Sequence, residues 1–255
     1  MKKELGKLFY KYIPNALLAI KDLTFTKKVH SRGITFTLVS DNWITKYRAR
    51  SFNDKEPEML DWLDINLQKG DTFFDVGANV GIYSVYAALR NPGAMIYSFE
   101  PEYSNLHLLK KNIINNNLLE NIVPFSIAIS DQVGLSYLHI QDFTPGAALS
   151  TESTQNITKT SNKKPIWKEG IGTSTLDQIS DSFGLQPNLI KIDVDGNEMK
   201  ILNGGKNTLS NPNMRSIIIE MIEGSPNNVA ISNCLKSYGF KLEGKFIENQ
   251  IWSKK

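Results

Sequence analysis

Hydrophobic positions change period several times along the first 70 residues. Leu5, Leu8, Phe9, Tyr12 and Ile13 recur at helical spacing, and after Pro14 a second short helix is predicted by Ala16, Leu17, Leu18 and Ile20. Ile34, Phe36 and Leu38 then alternate with threonines, Ser40-Asp41-Asn42 reads as a turn, and Trp43 to Arg50 reads as another extended segment. Two or three antiparallel strands are expected there. Over 55–70, Met59, Leu60, Leu63 and Leu67 form one apolar stripe. Pro57 suits the first turn of that helix and Gly70 its stop.

From residue 71 the pattern alternates. Strands are predicted over 72–76, 94–99, 122–127, 188–193 and 215–221, and helices near 80–90, 104–116, 197–209 and 227–238. Such alternation builds a parallel sheet with helices on both faces. Segments 239–246 and 249–253 add a closing hairpin at an antiparallel edge. The expected fold is α/β, a doubly wound, Rossmann-like, seven-stranded mixed sheet. Residues 1–54 would form a small helical and antiparallel β extension, and residues 55–255 the main domain. The stretch 141–172, rich in Ser, Thr, Gly, Asn and Lys, breaks the rhythm and reads as a long functional or mobile loop.

Composition narrows the setting. The 255 residues are 41% hydrophobic and 22% charged, as in soluble globular proteins. No apolar run approaches the roughly 20 residues needed to span a bilayer. A single cysteine, Cys234, excludes an internal disulfide and fits a reduced compartment, so a cytoplasmic location is expected. The start MKKELGKLFYKYIP does not read as a signal peptide, and the sequon at Asn156 is discounted with it. The net charge of +3 conceals an asymmetry: residues 1–50 hold 11 Lys and Arg against 3 Asp and Glu. A basic front end leaves open an anionic substrate, peripheral membrane contact, or plain solvation of a small subdomain. Nucleic acid is the weaker partner, because no base-stacking motif accompanies the charge. Self-association stays open.

The loop Asp75-Val76-Gly77-Ala78-Asn79-Val80-Gly81 carries the chemistry. It follows a predicted strand and enters a predicted helix. The dinucleotide fingerprint would need glycine where Asn79 and Ile82 stand, and no Gly-Lys-Ser/Thr follows for a Walker A loop. Glu100 ends the next strand, at the place where an acid holds ribose hydroxyls in doubly wound sheets. Asp75 would repel a pyrophosphate but suit a cationic ligand region. A nucleoside joined to an amino acid through a sulfonium is S-adenosylmethionine, and the two acids together point to it. The plainer alternatives are a helix cap for Asp75 and a solvated strand end for Glu100.

Here the chain resembles the FkbM-like S-adenosylmethionine-dependent methyltransferases. The resembling segments are DTFFDVGANVGIYS (71–84), SFEPEYSNLHLLKKNIINN (98–116), SIAISDQVG (126–134), TSTLD (173–177), LIKIDVDGNEMKILNGG (189–205) and IIIEM (217–221). The resemblance implies the class I methyltransferase fold and O-methylation of hydroxyls on sugars, polyketides and other metabolites. It implies that the loop from Asp75 to Gly81, with Gly77, Ala78 and Asn79, lines the methionine end of the cofactor. Glu100 would hold the ribose, Pro101 would shape the adenine side, and Ser126 to Ala128 would flank the adenine. Asp195 stands where relatives often have Glu, and Asn197 also departs from the pattern. Neither the first 50 residues nor 141–172 share the resemblance, and both are expected to set the substrate.

Transfer to a hydroxyl also needs a base. Asp193, ending a strand across from the glycine loop, is the first choice; Asp195 and Glu198 follow, with Glu220 from the fifth strand. These four carboxylates could instead bind a divalent metal, which is the less favoured alternative. His30, His107 and His139 lack metal-ligand spacing. Trp167, in the polar stretch with Lys163, Lys164 and Lys168, is a candidate for stacking on a sugar. A dinucleotide-dependent oxidoreductase is the rival reading, disfavoured by Asn79 and Asp75. A non-catalytic nucleoside-binding protein is another, disfavoured by the intact Asp75, Glu100 and Asp193. The expected acceptor is a small molecule or glycan.

Overall fold

The computed structural model describes residues 25–148, 150–155, 164–221, 224–225 and 227–254. The helices expected over 4–13 and 16–20, the Asn156 sequon and Lys163 lie outside the described residues.

The chain opens on an antiparallel hairpin, β1 (Thr26–Ser31) and β2 (Ile34–Val39). Residues 43–50 are helix α1 (Trp43–Arg50), not the extended segment expected. Local capping decides this. Asn42 accepts hydrogen bonds from the backbone N–H groups of Ile44 and Thr45 at 2.8 and 3.0 Å, and Thr45 Oγ1 accepts from the Asn42 N–H at 3.2 Å. The cluster read as a turn is the start of a helix. Helix α2 (Pro57–Asn66) follows as predicted, with Met59, Leu60, Trp62 and Leu63 buried.

The main sheet has seven strands. The first five in chain order are β3 (Thr72–Val76), β4 (Met95–Phe99), β5 (Ile122–Phe125), β10 (Leu189–Ile192) and β11 (Ser216–Glu220). They lie parallel, and β12 (Lys241–Lys245) and β13 (Asn249–Ser253) form the antiparallel edge. The spatial order is β12-β13-β11-β10-β3-β4-β5, with β10 inserted beside β3. Helices α3 (Ile82–Arg90) and α4 (Tyr103–Asn115) connect the first three strands. Two apolar cores form. Phe73, Tyr86, Leu109 and Trp62 belong to one, and Phe74, Ile190, Ile217 and Trp252 to the other. Neighbours along β3 thus bury in different cores, as the period of two requires.

Three features between residues 126 and 210 depart from expectation. A second sheet forms from β6 (Ala128–Ile129), β7 (Gly134–Ile140), β8 (Thr151–Glu152) and β9 (Trp167–Ser174), in the order β6-β9-β7-β8. Within the supposed loop, Thr151–Glu152 and the residues from Trp167 onward are therefore strand. Helix α5 (Leu176–Phe183) follows, capped by Thr175 accepting from the Gln178 N–H at 3.0 Å. The helix predicted over 197–209 is two, α6 (Glu198–Asn203) and α7 (Lys206–Ser210), broken at Gly204-Gly205. A side chain at Gly204 would come within 2.3 Å of the Ser130 carbonyl. Helix α8 (Asn228–Ser237) leads to the closing hairpin.

The hairpin at the front shares the main core. Phe36 packs on Phe52 and Tyr86, with ring centroids 5.1 and 6.5 Å apart. Its outer strand is completed by side chains of α4: Asn112 accepts from the Val39 N–H at 2.7 Å, and Asn116 both accepts from Thr37 N–H and donates to its carbonyl. Strand edges left unpaired invite unwanted pairing, and here two asparagines cover one. Among the described residues no helix is long and apolar enough to cross a membrane.

Candidate active site

The C-terminal tips of β3, β4, β10 and β11 meet at one cavity of about 150 Å³. In open α/β sheets the crevice beyond these tips is where ligands bind. After β3 the chain turns through Gly77, whose φ of 76° is left-handed, and whose added Cβ would stand 1.9 Å from the Asp193 carbonyl oxygen. Only glycine lets the two strand tips close to this distance. The N–H groups of Gly77 and Ala78 both donate to the Phe99 carbonyl at 3.0 Å, which ties the turn to β4.

Glu100 follows β4 and is buried. Its carboxylate accepts from the backbone N–H of Asn79 at 2.8 Å and of Glu102 at 3.0 Å. Burial pushes its pKa up to about 7, against those two donors. Pro101, Ile127, Ala128, Ile129 and Leu138 continue this wall with mostly apolar surface.

Asp75 lies differently from expectation. Its carboxylate is buried and does not line the cavity. It accepts from Ser84 Oγ at 2.5 Å and pairs with Lys191 Nζ at 3.1 Å. The same ammonium donates to the Gly77 carbonyl at 3.1 Å and lies 3.3 Å from Asp193. Burial alone would lower the Lys191 pKa; Asp75 and Asp193 outweigh it and raise it. Asp75 therefore meets a cation that the protein supplies. Lys191 sits in the middle of the apolar run Leu189–Ile192, and that interruption was the available signal for it.

Of the other expected residues, Gly77, Asn79, Glu100, Pro101 and Ala128 line the cavity. Ala78 and Gly81 do not. Ala78 is spent on the turn, and Gly81, at φ 75°, abuts Leu109 where α3 begins. Among the acids, Asp193, Asp195 and Glu220 line the cavity. Glu198 turns back to accept from the Gly196 N–H at 2.8 Å. Glu220 is pushed up to about 8, first by burial and then by Asp193 and Asp195. Among the described residues no three His, Cys, Asp or Glu side chains are placed to hold a metal ion.

Arg48, Glu56 and Asn105, which the sequence did not single out, also line the cavity. Segment 144–148 runs over it, held by Asn79 Nδ2 on the Ala147 carbonyl at 2.8 Å, Arg48 Nε on the Gly146 carbonyl at 2.9 Å and Asn42 Nδ2 on the Pro145 carbonyl at 2.9 Å. Asn105 Oδ1 accepts from the Gly146 N–H at 2.7 Å. Glu56 receives a 2.5 Å hydrogen bond from the Tyr83 hydroxyl and pairs with Lys55.

A model of the methyltransferase FkbM domain matches residues 75–242. The 31-O-demethyl-FK506 methyltransferase FkbM of Streptomyces tacrolimicus is 26% identical over 199 residues, covering 69% of this chain and 75% of that protein. The hexuronic acid methyltransferase AglP of Haloferax volcanii is 26% identical over 171 residues, covering 66% of this chain and 63% of that protein. The crystal structure of a SAM-dependent methyltransferase from Agrobacterium tumefaciens aligns with a TM-score of 0.50 at 10% identity, over 91% of this chain and 71% of that one. At that identity the likeness concerns the fold alone.

Proposed function

The chain belongs to the FkbM methyltransferase family, and from that premise we propose that it moves the methyl group of S-adenosylmethionine onto a hydroxyl of a sugar, a glycan or a small metabolite. One observation carries the reading: the buried Glu100 carboxylate stands beside the Gly77 turn at the tips of adjacent parallel strands, where a ribose is held in sheets of this kind. Glu100 would take the ribose hydroxyls. Ile127, Ala128 and Leu138 would flank the adenine, and the turn at Gly77 and Asn79 would meet the methionine end. The name of AglP offers a precedent for a hexuronic acid acceptor, and that of FkbM for methylation of 31-O-demethyl-FK506. The cavity, about 150 Å³, is below the roughly 300 Å³ usual for a small-ligand pocket, so a bound cofactor would extend beyond it.

Bound there, S-adenosylmethionine supplies a methyl group on a positively charged sulfur, which departs as a neutral thioether once the acceptor oxygen has taken the methyl. The protein must align the acceptor and accept its proton. Asp193, the first choice from sequence, already faces the Lys191 ammonium at 3.3 Å. Among the described residues no cation pairs with Glu220, and its Oε2 is buried without a hydrogen-bond partner. We assign proton acceptance to Glu220 and electrostatic support to Asp193. Asp195 also lines the cavity.

Calorimetry with S-adenosylhomocysteine and, separately, with NAD tests the cofactor. Binding of the first and not the second is expected; binding of NAD alone would return the dinucleotide reading. Transfer of labelled methyl to a panel of sugars and hydroxylated metabolites then tests the reaction.

A further inference from the structure

The cavity shares Arg48, Lys55, Ala147 and Ala148 with a neighbouring groove of about 380 Å³. Trp43 and Tyr47 of α1 line that groove and not the cavity. They are 69% and 53% exposed. Four residues apart on a helix, they share one face, whereas Ile44, Thr45 and Ala49 form the buried one. Two large aromatic rings turned to water inside a concavity mark a place where something binds. Flat aromatic faces suit the C–H face of a sugar ring, with polar groups left to fix its orientation.

Arg48 supplies the polar group. Its Nε is used on the Gly146 carbonyl at 2.9 Å. Among the described residues no partner takes its two terminal nitrogens, and that edge of a guanidinium matches a carboxylate bidentately. Lys55 adds little, because Glu56 already neutralises it at 2.5 Å. Asp142, the acid lining the groove, would repel a ring carboxylate placed beside it, whereas Arg48 would attract one. Helix α1 lies ahead of the segment that the family model matches, and the facing residues 141–148 lie within it.

We propose that this groove is the acceptor subsite and that it takes a sugar ring bearing a carboxylate, a uronic acid unit, stacked on Trp43 and Tyr47 with its carboxylate on Arg48. Calling that sugar the acceptor rests on the methyl-transfer reading above; its binding does not. The test is a calorimetric titration with methyl glucuronoside and with the neutral methyl glucoside. The glucuronoside is expected to bind at least tenfold tighter. Arg48→Gln should abolish that preference, and the double variant Trp43→Ala, Tyr47→Ala should weaken both sugars at least tenfold while binding S-adenosylhomocysteine like the parent. Equal affinity for the two sugars in the parent protein, or a preference that survives Arg48→Gln, overturns the proposal. Calorimetry with S-adenosylhomocysteine separates the two claims: loss of that binding with the sugar preference intact removes the methyl-transfer reading and leaves the groove.

Discussion

Lys191 Nζ lies 3.1 Å from Asp75 Oδ1, and both side chains are at most 2% exposed. The pair joins the middle of β10 to the middle of β3, and the ammonium reaches on to the Gly77 carbonyl and to Asp193. One buried cation thus holds the glycine turn and the facing strand tip in register. Removing it would strand a buried carboxylate. Lys191→Met is expected to cost about 3–5 kcal/mol of folding stability. Urea unfolding measures it, and a loss under about 1 kcal/mol would mean that the tips are held by other contacts.

Gly77 and Gly81 both have left-handed φ, yet their substitutions should differ. A Cβ at Gly77 meets backbone, the Asp193 carbonyl at 1.9 Å, which cannot step aside. At Gly81 it meets the end of Leu109, at 2.0 Å from Cδ1, and a rotamer change relieves part of the clash. Gly81→Ala should cost about 1–2 kcal/mol, the usual penalty of that conformation. Gly77→Ala should cost more and also weaken S-adenosylhomocysteine, because β3 and β10 must separate. Equal melting temperatures and equal affinities for the two variants would refute this.

Two buried acids make stability depend on pH. Glu100 and Glu220 hold their protons to about 7 and about 8 in the folded protein, against 4.5 ordinarily. Between 4.5 and 8 the folded chain therefore binds more protons than the unfolded chain, and stability falls as pH rises through that window. Glu152 and Asp64 act oppositely: partners hold both below the ordinary range, so their contributions vanish only in more acidic solution. Urea unfolding from pH 5 to 9 should show the decline, with a slope up to about 1.4 kcal/mol per pH unit for each group. Glu100→Gln should flatten it up to pH 7, and Glu220→Gln up to pH 8. Slopes parallel to the parent in both variants would show that these carboxyls are ionised as usual.

How far the sequence revealed all this depends on the range of the deciding contact. Strands β3, β4, β10 and β11 announce themselves because buried parallel strands are near-continuous apolar runs bounded by turn residues. Glu100 is legible for the same reason, as an acid at a strand tip a fixed distance past a glycine turn. Trp43–Arg50 misleads because its aromatic and β-branched residues favour a strand, while the Asn42–Thr45 capping pair overrides them. Strand β9, WKEGIGTS, is polar and glycine-rich and becomes a strand only against β7. Asp75 reads in sequence as facing a cationic ligand, whereas its partner in the fold is Lys191, 116 residues later, a tertiary fact that spacing does not encode.

The division of labour between the two acids predicts distinct kinetics. If Glu220 accepts the acceptor's proton, it works only when ionised, so the rate should rise with pH and level off near its raised pKa of about 8. Glu220→Gln should lower kcat by about 10²–10⁴ and remove that rise, because general-base catalysis is lost with the carboxylate. Asp193→Asn should behave otherwise. It removes one negative charge beside Glu220, and lowers the Glu220 pKa, so the rise should move to lower pH while remaining visible. It also leaves Lys191 with Asp75 alone, a change felt in stability. Rates of methyl transfer from pH 6 to 10, measured on both variants with whichever acceptor the panel yields, decide the matter. A flat profile in Asp193→Asn with an unshifted rise in Glu220→Gln would exchange the two roles.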